Sequence, residues 1–343
     1  MSTEHTEEDL RALIQSFKEG LTLYSSTLTS TPLSQLKTQT ITDADQELIK
    51  VSKILSAHAT KIGIAFRPPV SINASYEQIK ETSQKMLLIV GATSQFENEV
   101  EWSLLFQKEV ISTVQDVISS YIAFLDELEA LDFKEKKETA EQKEGVDGRL
   151  VSVGKVWDSC KTLQALMEKG KLGLLKDNIK MNMQIIDDAL DEFTEWIENP
   201  EVMDDFDPFG LGDANDDDKA DSEEEEEKST EIDSKTLELA KVWTDKIKML
   251  KLLMSSLSKS LPASKDAKGS DVDEFNKEQD QLVAQVDDLV AAFFMNSGMP
   301  EIKTQITGIQ KKSELLITLV RKLNKDDDKK TKWLDLWQEK FIA

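Results

Sequence analysis

The residues best equipped for chemistry lie in one window, MDDFDPFGLGDANDDDKADSEEEEEK, at positions 203–228. Asp213, Asn215, Asp217, Asp221 and Glu224 fall at positions 1, 3, 5, 9 and 12 of an EF-hand loop. The sixth position of such a loop turns sharply and requires glycine, but here it is Asp218. No helical pattern flanks the window directly and no second hand exists, so it reads as a solvated tether rather than a calcium loop. Its second possible chemistry is capture of a basic partner. Asp216, Asp217, Asp218, Glu223, Glu224 and Glu225 would attract a Lys/Arg-rich surface, and Phe206, Pro208 and Phe209 would supply apolar docking points. The third is phosphorylation at Ser222, which precedes five glutamates and so suits an acidophilic kinase.

Outside that window, candidates for chemistry are few. Cys160 is the single cysteine, so no intrachain disulfide can form, which fits a reducing compartment. With only His5 and His58 beside it, a Cys/His zinc site is excluded by count. His58 follows Leu55 by three residues and precedes Ile62 by four, which puts it beside an apolar stripe as a core or boundary residue. There is no GxGxxG, P-loop or HExxH motif, and no Ser/His/Asp or Cys/His arrangement. The expectation is therefore a protein that is not an enzyme, with no catalytic residue, no cofactor and no metal.

The chain has 343 residues, of which 66 are acidic and 42 basic, for a net charge of −24. Residues 204–227 alone hold 13 acids and one lysine, so half of the excess negative charge sits in that segment. Such a balance repels nucleic acid and anionic membrane, leaving protein partners. The acidic N-terminus lacks the basic and apolar regions of a signal peptide, and the longest apolar run, Met86–Ala92, is far too short to span a bilayer.

The elements that would carry these residues are all helical. Gly and Pro are scarce, at 13 and 7. Apolar stripes at helical spacing run through Leu10–Tyr24, Leu48–Phe66, Ile79–Val90, Leu104–Leu128, Leu150–Leu163, Ile179–Ile197, Leu237–Leu253, Phe275–Phe293 and Ile302–Leu323, with a last short helix around Trp333, Leu336, Trp337 and Phe341. Pro32, Pro68–Pro69, Gly170, Gly173 and Pro200 punctuate them. Leu104, Ile111, Ile118 and Leu125 repeat every seven residues with Val114, Tyr121 and Leu128 between, which predicts a seam inside a monomer. Trp157 is expected to face inward with Val153, Val156, Cys160 and Leu163. The organisation expected is an all-α fold of two helical bundles, 1–200 and 233–343, separated by an acidic disordered linker over 201–232.

Three stretches carry a family resemblance: ATKIGIAFRPP at 59–69, VGKVWDSC at 153–160, and IIDDALDEF leading to DDFDPFGLGDANDDD. In their order and spacing the chain resembles the Grap2- and cyclin-D-interacting protein family over about residues 45–325. The resemblance implies up-and-down bundles similar to those of talin and vinculin. It also implies a regulator of cell-cycle control or transcription that binds cyclin D-like or helix-loop-helix partners in cytoplasm and nucleus. No basic stretch precedes a heptad helix, so direct DNA binding of the helix-loop-helix kind is not expected. Two alternatives remain open at this point: a cytoskeletal scaffold, by analogy of fold, and an acidic histone-binding chaperone, by charge.

Overall fold

In the computed structural model, residues 4–36, 40–97, 101–133, 148–201, 232–261, 267–323 and 328–342 are described. They form ten α-helices and, among the described residues, no strand: α1 Glu7–Ser30, α2 Leu33–Leu36, α3 Ala44–Ala65, α4 Ile72–Thr93, α5 Leu104–Glu129, α6 Gly148–Glu198, α7 Ser234–Ser260, α8 Gly269–Phe294, α9 Met299–Leu323 and α10 Asp328–Ile342. Among the described residues no helix is long and apolar enough to cross a membrane.

Local signals set several helix starts. Thr6 Oγ1 accepts from the Asp9 backbone N–H at 3.1 Å while Asp9 accepts from the Thr6 N–H at 2.8 Å, a reciprocal cap on α1. Ser103 caps α5 in one direction only, its hydroxyl oxygen accepting from the Phe106 N–H at 3.1 Å. α6 is interrupted at Gly170, where φ is 65° and ψ −178°. That conformation suits glycine because a Cβ would clash with the backbone. Of the two expected breaks only this one occurs, since Gly173 remains helical.

The chain divides into two compact units, Met1–Leu174 with Lys268–Val272, and Leu175–Ala267 with Asp273–Ala343. The division falls inside α6, not near residue 200 where the change in charge suggested it. Residues 175–198 share the second unit with α7–α10 because their inward face is complementary to α8, as the ring and amide contacts below show.

In the first unit, α1 packs on α4 and α5, and α3 on α4. Arg11 of α1 donates from Nη1 to the Glu129 carbonyl at 2.8 Å and from Nη2 to the Leu131 carbonyl at 3.0 Å. Its guanidinium carbon lies 4.2 Å from the centre of the Phe133 ring. Lys18 pairs with Asp126 at 2.6 Å and Glu129 at 2.7 Å. Both cations therefore sit where the C-terminal dipole of α5 favours positive charge. Tyr121 of α5 is fully buried and donates its hydroxyl to the Leu55 carbonyl of α3 at 2.5 Å. The heptad positions Ile118, Tyr121 and Leu125 are buried as expected, but Phe106, Val110, Val117 and Phe124 are buried as well. The buried stripe on α5 is thus a broad bundle face rather than a two-row seam. Leu104, at the helix start, is exposed.

The first half of α6 completes this unit, with Val153, Val156, Cys160 and Leu163 buried. Trp157 departs from expectation: it is 45% exposed, one position round from the inward row. The α3–α6 approach is close. A Cβ on Gly63 would lie 3.1 Å from Val153 Cγ2, so glycine lets these helix backbones come together.

In the second unit, Phe193 packs on Phe293 at 5.1 Å and Trp196 on Phe294 at 5.5 Å between ring centres. Beside this cluster runs a polar seam. Asn182 Nδ2 donates to Asp280 Oδ1 at 2.8 Å, Asn178 Nδ2 to Asn276 Oδ1 at 3.1 Å, and Asn276 Nδ2 to Asp280 Oδ2 at 2.9 Å. Toward α10, Trp337 stacks on Phe341 at 4.5 Å and donates its Nε1–H to the Met249 carbonyl at 2.8 Å. Trp337 and Phe341 are core residues, while Trp333 and Leu336 of the same expected set are exposed.

Two glycine substitutions separate packing from propensity. Gly63→Val should destabilise the full chain by about 1–3 kcal/mol through overpacking against Val153. Gly20→Ala, where a Cβ meets nothing within 4 Å, should stabilise it by about 0.5–1 kcal/mol. Denaturant titration followed by circular dichroism reads both.

Candidate interaction surface

The expected partner-binding residues Phe206, Pro208, Phe209, Asp216, Asp217, Asp218, Glu223, Glu224 and Glu225, and the phosphorylation candidate Ser222, lie outside the described residues, as does the EF-hand-like spacing. Among the described residues there is no group of three or more His, Cys, Asp or Glu side chains that could hold a metal ion.

The chemistry-bearing residues that are described sit around α3 and α6. His58 is buried, and its Nδ1 lies 3.1 Å from Thr82 Oγ1 of α4. Thr82 gives its own proton to the Gln78 carbonyl at 2.6 Å, so the hydroxyl oxygen accepts and His58 Nδ1–H donates. Burial, and then the charge of Lys61, hold the imidazole below its ordinary value, against the opposing pull of Glu81. Cys160 is buried, and that burial pushes its thiol up to about 12. A thiol so protonated is a poor nucleophile and acts as core filling. Both residues are structural, as their spacing suggested.

Trp157 is different. Its indole Nε1–H donates to Thr60 Oγ1 at 3.1 Å and to the Ser56 carbonyl at 3.2 Å, which lays the ring across α3 while leaving it nearly half exposed. Ile64, one turn beyond Thr60, is 55% exposed, and Ala57, between Ser56 and Thr60, is exposed as well. Gly154, one turn before Trp157, has nothing within 4 Å of where a Cβ would stand, so no side chain from that position covers the ring.

The charge around this ring is unlike that of the rest of the chain. Residues 48–67 contain Lys50, Lys53, Lys61 and Arg67 and no carboxylate, whereas the whole protein carries −24. Over 151–167 of α6 there are Lys155 and Lys161 against one acid, Asp158. Sequence reasoning missed this surface because Trp157 adjoins Val156 and was grouped with the core row. The available signal is a run of 29 residues, 48–76, free of acids in a strongly acidic chain.

The fold defines an all-helical bundle protein. Residues 47–199, from within α3 to just past the end of α6, match the family described as Grap2 and cyclin-D-interacting, N-terminal. The chain is also similar to an uncharacterized protein of Saccharomyces cerevisiae, 26% identical over 310 residues that cover 86% of this chain and 85% of the yeast protein. An uncharacterized protein of Schizosaccharomyces pombe is 22% identical over 234 residues, covering 68% of this chain and 62% of its own length.

His58 tests the burial argument. The folded chain disfavours a proton that the unfolded chain binds near 6.5, so this histidine's contribution to stability is complete above that pH and declines as pH falls below it. In an NMR titration of the full chain, the His58 ring should titrate below 6.5; a midpoint at or above that value contradicts the assignment. Cys160 should react with a thiol reagent only after denaturant unfolds the first unit.

Proposed function

We propose that this protein is a non-enzymatic interaction regulator that binds cyclin-type or helix-loop-helix-type partners in cell-cycle control or transcription. The observation that carries this reading is the family match over 47–199, a stretch that includes the Trp157 surface. On this reading the first unit supplies the binding face, and the acidic window 204–228 recruits basic surfaces at longer range. The protein works as a monomer in cytoplasm and nucleus, and neither nucleic acid nor membrane is its direct target.

The test is affinity purification of the full chain from its native cells, beside a variant lacking 204–228, with partners identified by mass spectrometry. Recovery of a cyclin or a helix-loop-helix transcription regulator with the full chain supports the reading. Recovery of only actin and adhesion proteins, or only histones, overturns it. If the window recruits basic partners, its deletion weakens association and flattens the dependence on salt. Unchanged affinity across salt removes that part of the proposal.

A further inference from the structure

We propose that the α3–α6 face around Trp157 is a docking site for an acidic amphipathic segment of a partner protein. The inference rests on the interaction-protein reading and names the surface and the chemistry of what it binds.

The geometry fixes the face. Trp157 meets Ser56 and Thr60, while Val153, one turn earlier in α6, meets Gly63, later in α3. The two helices therefore run antiparallel, and Lys161, one turn beyond Trp157, comes level with Lys53. The resulting strip runs from Lys53 and Lys161 past Ala57 and Trp157 to Ile64, about 16 Å at the rise of an α-helix. It has an apolar middle and cations at its edge. Lys53, Lys61 and Lys161 are exposed and make no ion pair among the described residues. A large aromatic held by its own hydrogen bonds loses little freedom on binding, which is why tryptophan recurs as an anchor in interfaces.

Magnitude decides whether an acidic ligand can approach a protein of −24. At physiological salt, charges are screened beyond about 8 Å, so a bound segment senses the nearby lysines and not the distant acids. A flat anionic membrane would bring the surrounding acidic surface into the same contact, whereas a peptide about 16 Å long touches the strip alone. Charge complementarity and dimensions therefore favour the peptide.

The probe is a fluorescein-labelled, hydrocarbon-stapled helical peptide of about 11 residues, matched to the strip of about 16 Å, with leucine at positions i, i+3, i+4 and i+7 and glutamate elsewhere, titrated with the full-length protein. One control peptide replaces the glutamates with lysine and another replaces the leucines with alanine. Anisotropy should show saturable binding of the Glu/Leu peptide, with affinity lower by tenfold or more for either control. Trp157→Ala should lower it by at least tenfold. Lys53→Glu with Lys161→Glu, both at exposed positions, should do the same while leaving the thermal unfolding curve in place, so that misfolding is not the cause. Equal binding of the lysine peptide, or no change in the double-lysine variant, overturns the proposal. So does binding to vesicles containing phosphatidylserine in place of the peptide, or a concentration-dependent dimer in sedimentation that Trp157→Ala abolishes. If the double-lysine variant still recovers the cellular partner, the docking site fails and the interaction reading stands. If the full chain recovers no such partner, that reading itself fails.

Discussion

The first unit depends on how closely α6 can lie against α3. Gly63 permits that approach, because a side chain there would press on Val153. With the Val153 side chain seated over Gly63, Val153, Val156, Cys160 and Leu163 enter the core, and Trp157 lies at the rim of the interface. There its N–H donates to the Ser56 carbonyl and the Thr60 hydroxyl, which ties the ring to α3. A core constraint therefore places the surface feature with the strongest claim to function. Tyr121 adds a second tie: its buried hydroxyl donates to the Leu55 carbonyl and links α5 to α3, the helix on which Trp157 rests. Binding surfaces built this way gain rigidity from the scaffold, which lowers the ordering cost of association.

The second unit solves a different problem, that of register. Aromatic faces such as Phe193, Trp196, Phe293 and Phe294 attract without direction, and they would tolerate sliding of one helix along another. Asn178 and Asn182, four residues apart, meet Asn276 and Asp280, also four apart, so a slip of one turn breaks the ladder. Asn182 is the buried member of this ladder, and leaving its amide unpaired would cost about 1–3 kcal/mol. Lys246 adds a point of closure by donating to the Lys340 and Phe341 carbonyls at 3.1 and 2.9 Å at the end of α10.

Most helices were legible because apolar residues recur at helical spacing and prolines interrupt the pattern at Pro32, Pro68–Pro69 and Pro200. The misreadings share a cause, namely that adjacent residues point about 100° apart on a helix and spacing alone does not choose between them. Val156 is inward and Trp157 lateral; Trp243 is inward and Val242 exposed. Asn182 was overlooked beside Met183 because its burial depends on Asp280, a residue 98 positions away. Charge changes near residue 200, whereas packing changes at Leu174–Leu175, where only the nearby glycines signal a break in the sequence. The acidic window gave the strongest chemical signal in the sequence, while the described surface draws on a weaker one, the absence of acids over 48–67.

The central claim is that partners are held on the α3–α6 face of the first unit. Amide hydrogen exchange of the full chain, alone and in complex with a partner purified from its cells, tests this most directly. The account predicts slowed exchange in 51–66 and 151–165 on complex formation. Protection confined to 234–342, with α3 and α6 unchanged, would contradict it.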